Sequence, residues 1–168
     1  MTFRQFLYDP NGLNVRWFGA INQATPDWLA PLAQVGSALG SYWGAPFLLI
    51  TLLLWSKRLD AAAMTQAAAV RVQAQRFALG FAMAWLGVAM LKLIVDFPRP
   101  VVALSDSVRI IGEPELQYSL PSGHAAYAML AAASLWPLAA PRVRALLVAL
   151  LAWVAWSRIV PRSIARTT

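Results

Sequence analysis

The sequence has no cysteine and little charge. Of its 168 residues 12% are charged, against roughly 25% in an average soluble domain, and 60% are hydrophobic. Without cysteine there is no disulfide, no thiolate metal site and no thiol nucleophile. A disordered chain needs the opposite balance of charge and hydrophobicity. The composition therefore indicates an integral membrane protein in one domain, 1–168.

Acidic residues are also scarce: 7 of them face 14 Lys and Arg, giving a formal net charge of +7. On a soluble protein this excess would favour nucleic-acid binding. On a membrane protein, Lys and Arg gather in cytoplasmic loops. No basic cluster is interleaved with aromatic residues, so we expect no nucleic-acid partner. Charged residues interrupt the N-terminus, which predicts an interfacial segment over 1–27 rather than a cleavable signal.

Four apolar runs approach the ~20 residues that a helix needs to cross a bilayer. The predicted spans are 36–55, 77–97, 124–140 and 144–160, with a kink in the third at Pro137. The fold class predicted is all-α, a polytopic transmembrane helix bundle with about four full spans. Tryptophans near the predicted span ends are typical of an interfacial belt: Trp28, Trp55, Trp136 and Trp156.

Loop charges predict the orientation. Loop 57–76 holds four basic residues and one acid, and the turn near Pro141 holds two arginines and no acid. Loop 97–122 offsets two arginines with three acids. By the positive-inside rule, the first two loops lie in the cytoplasm, whereas loop 97–122 and both termini face outward.

Lys92 lies near the end of the second span, where burial of a charge is costly. A lysine at mid-membrane costs roughly 2.5–3.5 kcal/mol on insertion scales. It could extend to the interface, or pair with Asp96 one helical turn later. Alternatively, Lys92 and Arg99 form a cationic clamp, with Pro98 turning Arg99 onto an extended rim. Such a clamp suits an anion at the membrane surface.

The sequence Pro-Ser-Gly-His opens the third span. Ser122 is a natural N-cap, and the N–H groups of a helix start favour an anion. Gly123 lets a phosphate approach the backbone closely. His124 is the single histidine of the chain. A lone histidine is more often structural, but this one is predicted on the same membrane face as the clamp.

Ser157-Arg158, at the outer end of the fourth span, completes the set. Alone, Arg158 could simply anchor a helix end at the interface. With the other motifs, three stretches bring anion ligands to one surface, since Arg binds phosphate bidentately and Lys acts as a point charge. The candidate ligands are Lys92, Arg99, Ser122, Gly123, His124 and Arg158.

With these motifs the chain resembles the type 2 phosphatidic acid phosphatase (PAP2) superfamily, which includes bacterial undecaprenyl diphosphate phosphatases. Its motifs are Lys, six residues, Arg-Pro; then Pro-Ser-Gly-His; then Ser-Arg, five residues, His, three residues, Asp. Lys92 to Arg99-Pro100 matches the first motif, and 121–124 matches the second. The third motif departs: Ile164 stands at the His position and Thr168 at the Asp position.

The resemblance implies a membrane phosphatase that works without a metal or cofactor, because cationic side chains stabilise the phosphate charge. Residues matching Lys92, Arg99, Ser122, Gly123 and Arg158 hold the phosphate. The residue matching His124 protonates the leaving oxygen, and the third-motif His attacks phosphorus. The resemblance also implies a bacterial-type inner membrane, an outward-facing site and a phosphorylated lipid: phosphatidic acid, phosphatidylglycerol phosphate or undecaprenyl diphosphate.

The altered third motif leaves three functions open. A gapped alignment would place Arg162 and Arg166 at the His and Asp positions, but arginine has no lone pair with which to attack. We therefore expect 159–168 to be an atypical tail, from a frameshift or a natural or deliberate truncation, with the family's closing helix missing. The chain is a lipid phosphatase, a catalytically dead binder of phosphorylated lipid, or a small structural membrane protein. The sequence does not predict its oligomeric state.

Overall fold

A computed structural model of the chain describes residues 12–59, 63–95 and 120–159. Over these ranges the chain is built from helices, which confirms the predicted all-α class. Besides the α-helices there are two short 3₁₀ turns in these ranges: Asp27–Leu29 lies directly before the second α-helix, and Trp136–Leu138 lies directly after the fifth. The α-helices are α1 (Leu13–Ala24), α2 (Ala30–Leu39), α3 (Gly44–Arg58), α4 (Met64–Val95), α5 (Gly123–Leu135) and α6 (Pro141–Ser157).

Helix α4 is longer than the span predicted at 77–97. Its 32 residues contain no proline and many alanines, and they extend about 48 Å at 1.5 Å per residue. Much of the predicted loop 57–76 is therefore helix, and both Arg71 and Arg76 lie on α4. Among the described helices, α4 is the one that is long and apolar enough to cross a membrane by itself.

The first predicted span, 36–55, is not one straight helix. Helix α2 ends at Leu39, α3 begins at Gly44, and the axis bends by 59° between them. A Cβ atom on Gly40 would lie 2.6 Å from Cγ1 of Val154 on α6. The chain thus turns where α6 passes against it. Counted as one bent span, this pair is the second candidate in the described ranges.

Helix α5 is shorter than its predicted span, whereas α6 has the predicted length of 17 residues but begins and ends three residues earlier. Pro137 lies in the 3₁₀ turn after α5, so it ends that helix instead of kinking a longer one. Pro141 stands in the first turn of α6, where its missing N–H costs no helical hydrogen bond. By length and composition, the described helices therefore supply one or two spans rather than four.

Two apolar clusters join α3, α4 and α5. In the first, Phe77 and Tyr127 meet edge to face with ring centroids 6.5 Å apart, beside Ala45. The second is built around Leu52 and Val70, which are at most 1% exposed. Helix α6 packs against α2 and α5. This packing brings the end of α6 beside the start of α5.

Large apolar side chains cover the outer surface. On α3 and α4, Phe47, Leu79, Met83, Leu93 and Ile94 are each more than 60% exposed. Soluble monomers rarely expose contiguous apolar patches of this kind. A lipid environment removes the cost of that exposure, so the surface agrees with the membrane protein that the composition indicates.

Candidate phosphate-binding site

A cavity of about 290 Å³ lies where the end of α4, the start of α5 and the end of α6 meet. Five of the six candidate ligands line it: Lys92, Ser122, Gly123, His124 and Arg158. The sixth, Arg99, lies outside the described residues, as does the third-motif position Ile164. The three stretches that the sequence singled out therefore meet in space. The roles of these residues remain a proposal.

The start of α5 opens onto the cavity. Ser122 is its N-cap: the side-chain Oγ accepts a hydrogen bond from the Ala125 N–H at 3.4 Å, as the sequence predicted. The first N–H groups of a helix have no acceptor within the helix and suit an anion. A Cβ atom on Gly123 would meet just one atom within 4 Å, Cγ1 of Val88 at 3.9 Å. The backbone at Gly123 is thus accessible to a ligand.

His124 follows in the first turn of α5 and packs near the bend between α2 and α3. A Cβ atom on Gly40 would lie 3.5 Å from the Cβ of His124. The same missing side chain makes room for Val154 of α6. Gly40 therefore lets three helices come together beside the histidine.

Arg158 is the C-cap of α6, and its surroundings fix it from two sides. Its Nη1 donates a hydrogen bond to the Oγ of Ser37 at 3.1 Å. Ser37 belongs to α2 and is 5% exposed. The next carbonyl, that of Ile159, accepts a hydrogen bond from Nδ2 of Asn22 on α1 at 3.3 Å. Neither Ser37 nor Asn22 belongs to a motif that the sequence analysis recognised.

The charge of the cavity is positive. Lys92 and Arg158 supply two cationic side chains, and none of the described lining residues is acidic. Like-signed charge in a partly enclosed volume attracts an anion, and guanidinium groups match phosphate oxygens geometrically. Within the described ranges, no group of three or more His, Cys, Asp or Glu residues is placed to hold a metal ion.

Sequence reasoning missed the apolar and aromatic part of the cavity wall. Along α4 the wall includes Phe81, Trp85 and Val88, which precede Lys92 at helical spacings of three and four residues. Tyr42 and Tyr127 complete it from the bend and from α5. In an apolar span such residues resemble ordinary lipid-facing ones. Tracing the face of Lys92 back along its helix would have found the α4 residues.

Comparison with known proteins gives the class and then the family. The crystal structure of Aquifex aeolicus LpxE is similar, with a TM-score of 0.76 and 25% sequence identity over 95% of this chain and 84% of the LpxE chain. No curated protein matches the sequence. The model of the PAP2 superfamily matches residues 73–162, more than half of the chain. The chain belongs to the PAP2 superfamily, and its general class is that of the lipid phosphatases.

Proposed function

We propose that the cavity binds the phosphate group of a phosphorylated membrane lipid. The observation that carries the proposal is the convergence of Lys92, residues 122–124 and Arg158 on one volume. A guanidinium fork, an ammonium group and helix-start N–H groups are complementary to a tetrahedral phosphate. Arg99, seven residues after Lys92, is proposed as a second guanidinium ligand. The cationic groups provide charge stabilisation without a metal or cofactor.

The apolar wall supports a lipid rather than a water-soluble phosphate ester. From Phe81 to Lys92, α4 lines the cavity over 12 residues, whose first and last Cα atoms lie about 16 Å apart along the helix axis. On α5 the lining continues from Gly123 to Leu130. One end of the ligand thus meets cations, and the rest meets aromatic and aliphatic side chains. Phosphatidic acid, phosphatidylglycerol phosphate and undecaprenyl diphosphate all have this amphiphilic form.

The chemistry proposed for the site assigns His124 to the leaving group, whose oxygen it protonates. Hydrolysis through a phosphohistidine also needs an imidazole on the opposite side of phosphorus. The family position for that group holds Ile164, and His124 is the single histidine of the 168 residues. Loss of a covalent nucleophile costs on the order of 10⁶-fold in rate in a well-studied hydrolase. We propose that these 168 residues bind phosphorylated lipid with little or no turnover.

The proposed location is a bacterial-type inner membrane, with the site facing outward. Support comes from the charge of the opposite end: Lys57 and Arg58 end α3, and Arg142 and Arg144 begin α6. Basic residues of this kind are typical of the cytoplasmic side. Arg144 is also fixed there, because its guanidinium lies 5.5 Å from the ring centroid of Trp136.

Binding is tested with dioleoyl phosphatidic acid in phosphatidylcholine nanodiscs that contain the purified chain. Lys92→Ala, Arg99→Ala and Arg158→Ala should each raise the Kd roughly ten- to hundredfold, the scale of hydrogen bonds to charged groups. Arg71→Ala is the matched control, because Arg71 lies on α4 21 residues before Lys92 and does not line the cavity. Equal Kd values for all four variants would show that no phosphate site exists here.

Turnover is tested by phosphate release from the same lipid, with His124→Ala as background. We expect no release above background. Replacing the residues after Arg158 by five residues, His, three residues, Asp and an apolar span should restore it. If the unmodified chain releases phosphate robustly and His124→Ala abolishes that release, the proposal of a non-catalytic chain is refuted. The chain is then an active phosphatase.

A further inference from the structure

We propose that Ser37 is a positioning residue of the phosphate site, acting through Arg158. This inference rests on the proposed function, in which Arg158 is a phosphate ligand. Ser37 lies on α2, more than 100 residues before Arg158, and outside all three motifs. Its hydroxyl oxygen accepts a hydrogen bond from Nη1 of Arg158 at 3.1 Å. We infer that this bond holds the guanidinium in the orientation that binds phosphate.

The position of Ser37 is fixed by close packing between α2 and α6. The buried residues of α2 include Ala33, Gly36 and Ser37, which share one helical face. A Cβ atom on Gly36 would lie 2.8 Å from Nε1 of Trp153 and 3.1 Å from Cβ of Ser157. The missing side chain at Gly36 therefore lets α6 approach α2 closely, which places Arg158 opposite Ser37.

Polar contacts fix the relative register of these helices. The indole Nε1 of Trp153 donates to the backbone oxygen of Leu32 at 3.1 Å. Asn22, which is 2% exposed, donates to the backbone oxygen of Ile159 immediately after Arg158. A side-chain contact at Trp153 and a backbone contact at Ile159 thus restrain the chain before and after the arginine. The contact with Ser37 then restrains the side chain itself.

The functional consequence is preorganisation of a flexible ligand. An arginine side chain has many rotamers and loses that freedom when it binds a ligand. A guanidinium has five N–H donors in one plane, and the bond to Ser37 engages one of them. Fixing the plane before the lipid arrives reduces the ordering that binding requires. Phosphate affinity should therefore depend on the Ser37 hydroxyl whenever Arg158 is present.

The test is a double-mutant cycle on binding of dioleoyl phosphatidic acid in phosphatidylcholine nanodiscs. Ser37→Ala should raise the Kd roughly three- to tenfold, the scale of one immobilised side chain. Arg158→Ala should raise it more, and the Ser37→Ala/Arg158→Ala variant no further. Ser56→Ala is the matched control: Ser56 is 3% exposed, donates to the Leu53 oxygen at 2.8 Å and does not line the cavity. It should leave the Kd unchanged.

The other outcomes separate this inference from the function on which it rests. If Arg158→Ala weakens binding and Ser37→Ala does not, Ser37 has no positioning role and the phosphate site stands. If the losses of binding free energy in the two single variants add up in the double variant, Ser37 does not act through Arg158. An equal loss in Ser56→Ala would mark a general structural effect and overturn the inference. Unchanged binding by Arg158→Ala would overturn the proposed ligand role and this inference together.

Discussion

The contact between Gly44 and Tyr127 permits a direct test of how the cavity wall is built. A Cβ atom on Gly44 would lie 2.6 Å from Oη of Tyr127 and 3.2 Å from its Cζ. The ring cannot turn aside freely, because it is 8% exposed and packs edge to face on Phe77 and Phe81, with centroids 6.5 and 6.3 Å away. Gly44→Ala must therefore displace this ring or the start of α3.

The expected loss of folding stability follows from these distances. Overpacking a well-packed site typically costs 1–3 kcal/mol, so we expect Gly44→Ala to lower the free energy of unfolding by about 2 kcal/mol. Tyr127→Phe removes the oxygen at 2.6 Å and leaves Cζ at 3.2 Å. In that background Gly44→Ala should cost less than about 1 kcal/mol, because small shifts relieve the remaining contact.

Two other glycines of the bundle provide matched controls. A Cβ atom on Gly80 would lie 2.9 Å from Cδ1 of Leu130, which is the far end of a flexible side chain. Gly80→Ala should therefore cost less than Gly44→Ala. A Cβ atom on Gly87 would have no neighbour within 4 Å. Gly87→Ala should be stabilising by up to ~1 kcal/mol, since alanine favours the helix interior.

The assay is denaturant unfolding of the purified protein in detergent, followed by fluorescence of its 8 tryptophans. Coincident transitions by fluorescence and circular dichroism are required before free energies are compared. If Gly44→Ala lowers the free energy of unfolding equally in the unmodified background and in the Tyr127→Phe background, the steric explanation is refuted. A larger cost for Gly80→Ala than for Gly44→Ala would refute it as well.

Two further predictions concern membrane orientation and the support of Arg158. In this cysteine-free chain, an impermeant thiol reagent applied to intact cells should label Ser107→Cys and not Gln66→Cys, because loop 97–122 is predicted outside; labelling of position 66 alone would reverse the orientation. Asn22→Ala removes the hydrogen bond to the Ile159 oxygen and should lower the free energy of unfolding by about 1 kcal/mol. An unchanged denaturation midpoint would mean that this contact does not stabilise the end of α6.

The sequence singled out the polar residues that line the cavity, because these residues stand next to helix ends. Lys92 ends an apolar run, and Ser122 and Arg158 flank two others. Residue type and position together restrict where such groups can lie. The supporting residues gave no such signal: Ser37 and Asn22 are common polar residues whose partners lie more than 100 positions away. Contacts at that separation depend on helix packing, which local pattern does not determine.

The predicted helix boundaries were wrong for a different reason. Hydropathy predicted 57–76 as a loop because it contains charged residues. Alanine, glutamine and arginine are strong helix formers, so α4 begins at Met64 and continues through Arg71 and Arg76. Hydropathy, which is averaged over many residues, also gave no sign of the bend at Gly40. The residues around it are uncharged, and the close contact at Gly40 is with Val154 on α6, 114 positions away in the sequence.

A line of glycines, Gly36, Gly40 and Gly44, connects these observations. They occur every four residues across the bend, and a Cβ atom on each would lie within 2.8 Å of another helix's side chain. The partners are Trp153, Val154 and Tyr127. In lipid, apolar side chains gain little by leaving the solvent, so association relies on close packing of small residues. The geometry of the proposed phosphate site therefore depends on where side chains are missing. Replacing Gly36, Gly40 or Gly44 by a larger residue should therefore displace Arg158 or Tyr127, although none of the proposed phosphate-binding residues is substituted.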